Sequence, residues 1–314
     1  MLSYIRMRLL QTIPVIFGVT LVSFSVMHLI PGDPARVLLG DMGGGSASGD
    51  LSDEAYQNLR SELGLDEPFV VQYGNFVFNA AQGDFGRSFQ TNRPVSSSIT
   101  EVLPYTLRLT VVGLGIAIVI GGVLGIFAAL YRNTWIDTAT MAMSLVGLAM
   151  PSFWLGFILI YIFSLRWHIL PSTGSEGIKT LILPAVTLGL VASGTVARLI
   201  RSTMLEVLGN EYIMTARAKG LRNRTVILRH ALRNALIPVV TIVGLQFGAL
   251  LSGAVIVETV FARRGLGRLA VESVLSRDYP MVQGTILVAA VGYVVINLLV
   301  DLSYSWLDPR IKYH

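Results

Sequence analysis

The chain has 314 residues, of which 53% are hydrophobic and only 14% charged, with a formal net charge of +5. An average soluble domain carries about 25% charged residues, so much of this chain is not built to face water, and a mean hydropathy of +0.64 agrees. The absence of cysteine excludes disulfide frameworks, zinc–thiolate sites and thiolate-held iron–sulfur clusters.

A bilayer core asks for about 20 apolar residues of helix. The first such stretch is Leu9–Ile30. Its flanking Arg6 and Arg8 would also suit a signal peptide, but the stretch outruns the usual h-region and no A-x-A site precedes Pro31, so a retained membrane helix is expected.

A polar insert follows over residues 31–100 and is long enough to need structure of its own. The run Gly43–Gly49 reads as flexible. It is not a phosphate-binding loop, because no Gly-Lys-Ser/Thr follows. Ser52 can cap a helix reaching about Leu63 and stopping at Gly64, and a second helix is expected over Phe69–Ala81, ending at Gly83. A small helical cap lying on the membrane domain and a docking surface for an external partner are both open readings, and they are compatible.

Five further apolar stretches follow: Leu107–Leu130, Ala139–Leu165, Thr180–Leu199, Ala235–Val260 and Gln283–Tyr304. The expected fold is therefore an all-α polytopic membrane protein with six transmembrane helices and a small extracytoplasmic helical insert after the first. Its divisions are 1–30 (N-terminal tail and first helix), 31–100 (insert) and 101–314 (five-helix core), the last containing a cytoplasmic segment at 201–234. Pro151, Pro184 and Pro238 fall inside stretches, which membrane helices tolerate. Gly121/Gly125 and Gly244/Gly248 form G-x-x-x-G pairs that suit either internal packing or a subunit interface. Polar residues within spans are costly. Glu258 and Asp301 lie near helix ends, within reach of the interface. Gln246 and Asn297 are deeper, and either line a pathway or join helices.

Charge sets the orientation. The segment between the fourth and fifth stretches carries Arg198, Arg201, Arg217, Lys219, Arg222, Arg224, Arg229 and Arg233 against Glu206 and Glu211. The 31–100 insert is acidic, with Asp33, Asp41, Asp50, Asp53, Glu54, Glu62, Asp66, Glu67 and Asp84 against four arginines. Both termini and the basic segment should be cytoplasmic and the insert outside. The basic residues lie between apolar stretches, which marks topology and not nucleic-acid binding.

The basic segment also has a shape. Tyr212–Lys219 reads as a short helix of small and basic residues, Gly220 suits a left-handed C-cap, and Thr225–Asn234 reads as a second helix entering the fifth span. Ala216 and Ala218 lack bulk, so another protein can approach closely. An ordinary positive-inside loop needs only the Lys and Arg residues.

This segment resembles the EAA loop of ABC-importer permeases. Alanine and glycine fall at Ala216 and Gly220 and the later leucine at Leu232, while Met214 stands at the glutamate position and Arg233 at the terminal proline position. Thr215–Leu221 followed by Arg229–Pro238 looks like the variant of dipeptide, oligopeptide and nickel permeases. Pro31–Ala35, Leu63–Asp66, Gly83–Gly86, Arg93–Val95, Arg277–Pro280 and Leu307–Arg310 resemble that family's first (B-type) permease subunit, over essentially the whole chain.

The resemblance implies a non-catalytic subunit of the bacterial or archaeal cytoplasmic membrane, forming half of a pathway for peptides or a related solute. It implies a heterodimer with a homologous second permease, two cytoplasmic ATPases that bind ATP and Mg, an external substrate-binding protein and surrounding membrane lipid. The chain has no G-x-x-x-x-G-K-[ST] loop of its own. The ATPase-coupling residues implied are Thr215, Ala216, Arg217, Ala218, Gly220 and Arg224, and the pathway candidates are Gln246 and Asn297. No metal site or catalytic set is expected, since His28, His168, His230 and His314 fall at span edges or outside. An ion-coupled secondary transporter is the alternative, but it would show a pseudo-symmetric repeat and a central ionisable site.

Overall fold

The computed structural model describes residues 2–29, 35, 53–62 and 64–307. The Gly43–Gly49 run, Ser52, most of the Pro31–Ala35 motif and the tail beyond Leu307 lie outside the described residues, as does the side chain of Asp301. The regular structure of the described residues is helical, with one isolated β-bridge, Arg87 to Pro94. In chain order the helices are α1 (Leu2–Leu29), α2 (Asp53–Glu62), α3 (Phe69–Ala81), α4 (Val95–Leu130), α5 (Trp135–Ala149), α6 (Ser152–Leu159), α7 (Ile178–Leu208), α8 (Glu211–Ala218), α9 (Asn223–Val260), α10 (Leu266–Leu275) and α11 (Tyr279–Leu307). Gly64 and Gly83, expected to stop α2 and α3, have φ of +65° and +81°, the left-handed region that glycine enters at no steric cost.

Four helices are long and apolar enough to cross a bilayer: α4, α7, α9 and the Tyr279–Val300 part of α11. A fifth crossing exists if the pair α5 and α6 is one span, and α1 holds a shorter apolar stretch, Leu10–Ser25. The expected stretches fall on these helices, four of which, or five with the bent pair, have the length and composition of a crossing.

The third expected stretch, Ala139–Leu165, is not one straight helix. It breaks at Met150–Pro151 with a bend of 104°. Met150 takes extended angles (φ −75°, ψ 127°) because the proline ring disfavours α geometry in the residue before it. Beyond α6 the chain continues as a π-wound turn over Ile160–Arg166. Pro184 and Pro238, by contrast, sit inside continuous helices.

The chain forms two compact units. The first comprises Met1–Arg6, Pro104–Arg268 and Tyr293–His314. Its centre is α7, whose most apolar window is 61% buried against 28% for each of the other three crossing helices. Two apolar clusters line α7 in succession. Leu183, Leu188 and Ala192 meet Leu109, Leu159, Leu250 and Val257, and further along Val196, Ile200 and Met204 meet Ala129, Val226, Ala235 and Val239. The G-x-x-x-G pairs serve this internal packing. A Cβ on Gly121 would lie 2.6 Å from the carbonyl oxygen of Ser193, and one on Gly125 would strike that of Ala197, so α4 rides backbone to backbone on α7. Gly244 and Gly248 of α9 seat the side chains of Val300 and Tyr293 of α11.

The second unit comprises Met7–Leu103 and Leu269–Gly292. Asp278, 3% exposed, organises it. Its carboxylate accepts from the Ser88 hydroxyl and from the backbone N–H groups of Phe89 and Met281. Gln90 Nε2 donates to Ser276 O, and Phe89 meets Tyr279 edge-on. Val95 is fully buried, and its N–H bonds Gly86 O at 3.0 Å. The neighbouring motifs 83–86 and 93–95 are thus tied to each other, and the segment between them bonds the buried carboxylate of the distant 277–280 motif.

Candidate functional site

The basic segment folds as a helix, a glycine corner and a second helix. Asn210 precedes α8 in extended geometry (ψ 147°). Glu211 opens the helix and Arg217 lies in its last turn, each the sign the helix dipole favours at its end. The N–H groups of Lys219 and Gly220 bond Thr215 O and Arg217 O at 3.0 and 2.9 Å, and Gly220 has φ +76°. Arg222, extended with ψ 137°, then leads into α9. The second helix expected over Thr225–Asn234 is not separate. It is the opening of α9, π-wound over Val226–Ala231 and continuous to Val260, since no breaker stands between Asn234 and the tolerated Pro238.

Helical spacing divides the residues of α8. Ile213 and Ala216, one turn apart, are 1% and 8% exposed. They pack among Val196, Ile200 and Met204 of α7 and Val226, Ala231, Ala235 and Val239 of α9. Thr215, Arg217, Ala218, Gly220 and Arg224 are all exposed. The small size of Ala216 therefore serves close packing inside this chain, and Ala218 is the small residue presented outward. Asn234 Nδ2 donates to the Tyr212 hydroxyl at 2.7 Å, tying α8 to the start of α9. Met214, at the glutamate position of the loop pattern, is 68% exposed, and Leu221 lies on the same exposed rim.

The two pathway candidates are not brought together. Asn297 lies between Tyr293 and Val300, on the face of α11 that packs against Gly248 and Gly244 of α9. Its Oδ1 is buried without a hydrogen-bond partner. Gln246 lies midway between those two glycines, about 200° round α9 from each, so it points away from Asn297 and is half-buried.

Two buried carboxylates carry more structure than their sequence positions suggest. Glu258 does not reach the interface; it is 0% exposed. It accepts from Thr106 Oγ1 (2.6 Å) and from the N–H groups of Gly267 (2.9 Å) and Arg268 (3.2 Å), which open α10. A Cβ on Gly265 would fall on the carboxylate itself. Arg263, 2% exposed, stacks over the Tyr105 ring, and burial pushes its guanidinium below its usual pKa while the charge of Glu258 opposes that shift. Asp137 of α5 takes a bidentate pair from Arg201 of α7 at 2.6 and 2.7 Å and the N–H of Asn133 at 3.1 Å. Sequence reading counts Arg201 only as a topogenic charge. Its signal is the lone acid at the start of the apolar stretch holding Asp137. Among the described residues no group of three or more His, Cys, Asp or Glu is placed to hold a metal ion.

The family model for the inner membrane component of binding-protein-dependent transport systems matches residues 121–313, and the model for the N-terminal part of such components matches residues 1–110. The chain is 43% identical over 341 residues to the dipeptide transport system permease protein DppB of Alkalihalophilus pseudofirmus, covering all of both chains. It is 42% identical over 313 residues to the glutathione transport system permease protein GsiC of Escherichia coli, again covering all of both. Among solved structures, an inward-facing form of the MetNI methionine ABC transporter matches 67% of this chain and 95% of its own, at 21% identity and a TM-score of 0.57. An amino acid ABC transporter matches 69% and 95%, at 18% identity and a TM-score of 0.52. At those identities the two structures speak for the fold.

Proposed function

The chain belongs to the family of inner membrane components of binding-protein-dependent transport systems, and from that premise we propose that it forms half of an ATP-driven import pathway for dipeptides, glutathione-like peptides or a related small solute. Relatives named for dipeptide and for glutathione transport, each matched over its full length, support this substrate class. The second half is a homologous permease subunit. Two cytoplasmic ATPases bind ATP and Mg, and an external binding protein delivers the solute. Both termini and α8 face the cytoplasm, and residues 31–100 face outward.

The observation that carries the coupling role is the division of α8 into a buried and an exposed face. Ile213 and Ala216 root the helix in α7 and α9. Thr215, Arg217, Ala218, Gly220 and Arg224 are left exposed, with Met214 and Leu221 adding apolar area. A close-packed interior transmits strain. A displacement of the exposed rim by an ATPase is therefore passed to α7 and α9 together. Different ligation states then favour different arrangements of the spans, which is alternating access. In this scheme Gln246, half-exposed on α9, lines the pathway, and Asn297 contributes at the α9–α11 seam.

The test is purification of the tagged chain from native membranes in mild detergent, followed by reconstitution with its companions. A second permease subunit and Walker-motif ATPases should co-purify, and vesicles should take up labelled dipeptide or glutathione only with ATP and the binding protein. Purification without any ATPase under several mild conditions, or uptake driven by an ion gradient alone, would overturn the proposal.

A further inference from the structure

Helix α3, Phe69–Ala81, reads FVVQYGNFVFNAA and carries no charged residue. At 3.6 residues per turn it resolves into three stripes. Phe69, Tyr73 and Phe76 face α1. Phe24 meets their rings at centroid distances of 5.2, 5.6 and 5.6 Å, and Phe17 meets Tyr73 at 5.9 Å. Thr20 Oγ1 lies 2.8 Å from the Tyr73 hydroxyl. The second stripe is polar: Gln72, Asn75 and Asn79. Gln72 Nε2 donates to Leu65 O and Glu67 O, and Asn75 Nδ2 donates to the Glu67 carboxylate. Gln72 and Asn75 are thus tied to the preceding loop, while Asn79 lies exposed near the end of the helix. The third stripe, Val70, Val71, Gly74, Val77, Phe78 and Ala81, is about 120° wide; among the described residues all of it is exposed except Val77, which is half-buried. Val70 is 77% and Phe78 67% exposed.

The level at which α3 meets α1 decides what covers that stripe. Phe17, Thr20 and Phe24 all lie within the apolar stretch Leu10–Ser25, which is about 24 Å long at 1.5 Å per residue. At the same level α1 itself exposes Phe17 (56%) and Val22 (64%). The free stripe of α3 therefore continues the apolar surface of a membrane helix, and it lacks the charges that a water-facing helix carries. We propose that α3 is not part of a water-exposed insert but lies embedded in the outer leaflet, with Val70, Val71, Val77 and Phe78 against lipid acyl chains. An interfacial helix likewise sinks an apolar face to the boundary of the acyl chains. It rests on α1 being a membrane helix, as the proposed function requires.

The test uses single-cysteine variants, which need no background substitution in this chain because it has no cysteine, with any cysteines of the companion subunits replaced. Val70→Cys, Phe78→Cys and, on α1, Val22→Cys are made in the full-length chain. Each is purified with its native companions, nitroxide-labelled and placed in nanodiscs of phosphatidylethanolamine and phosphatidylglycerol. Collision with oxygen, which concentrates in hydrocarbon, is compared with collision with a nickel chelate, which stays in water. Embedding predicts that positions 70 and 78 match position 22, open to oxygen and closed to nickel. It also predicts that the fluorescence of Phe78→Trp, relative to the unsubstituted chain, is quenched by lipids brominated in their acyl chains. Nickel access at 70 and 78 with none at 22 overturns the inference and leaves the membrane reading of α1 standing. Closure to both reagents at 70 and 78 shows a protein partner in place of lipid and overturns it as well. Nickel access at position 22 removes the premise itself.

Discussion

Thr106 Oγ1 donates to Glu258 Oε1 at 2.6 Å and, from the other side, accepts the N–H of Leu266 at 2.8 Å. One hydroxyl thereby links a carboxylate buried in α9 to the backbone that opens α10. The carboxylate completes the arrangement by accepting the next two N–H groups, those of Gly267 and Arg268.

Because the Thr106 and Gly267 donors are buried, Glu258→Ala should destabilise the subunit by roughly 2–4 kcal/mol, and Thr106→Val by less, since it leaves two of the carboxylate's bonds intact. Thr106→Ser should be near neutral. Thermal unfolding in detergent measures the order. Equal stability of Glu258→Ala and the unsubstituted chain would show the carboxylate to be dispensable.

The Asp137–Arg201 pair is bidentate, with Asp137 only 7% exposed at its side chain. Removing one partner leaves the other charge partly buried. Arg201→Met or Asp137→Leu alone should cost about 3 kcal/mol, whereas the two together should cost clearly less than their sum. A double-mutant cycle on thermal stability reads this directly, and strict additivity would mean that the pair contributes nothing.

Glycines at backbone contacts and glycines in open space predict opposite outcomes for one methyl group. Gly121→Ala and Gly125→Ala place a Cβ against carbonyl oxygens of α7, while Gly115→Ala and Gly292→Ala meet nothing within 4 Å. The first two should lower the unfolding temperature measurably. The second two should leave it unchanged or raise it slightly, alanine being the better helix former. The same shift for all four would remove the α4–α7 backbone contact as a source of stability.

In the coupling segment, exposed and buried alanines separate docking from folding. Ala218→Trp on the exposed rim should abolish ATPase co-purification and transport with thermal stability unchanged. Ala216→Leu should lower stability too, because it overpacks the α7–α9 cluster. Gly220→Pro should uncouple transport while sparing membrane insertion, since φ +76° is closed to proline. Normal transport by the Ala218 and Gly220 variants would place the coupling contact elsewhere.

Long apolar runs and glycine stops were readable in the sequence because each is local. The bounds of α3 and the corners at Gly64, Gly83 and Gly220 follow from residue type and spacing alone. The 104° break was not readable. Pro151, Pro184 and Pro238 look alike in a string of letters, and surrounding packing decides which of them interrupts a helix. The inward turn of Ala216 was hidden for a related reason. A small residue fits a docking face and a tight interior equally, and only the position of Ile213 beside it in the α7–α9 cluster tells them apart. The side-chain partners of Glu258 and Asp137, Thr106 and Arg201, lie far away in the chain, so no window along the sequence pairs them.

The π-wound turn over Val226–Ala231 holds one residue more than an α-turn would need. It is a unit of slack in the chain length. Deleting a single residue there lets the turn tighten to ordinary winding while α8 and the rest of α9 keep their places, whereas the same deletion two turns further on would rotate everything after it by about 100°. Natural length variation in this part of the chain, and engineered shortening of it, should accordingly be tolerated within those six positions and nowhere else along α9.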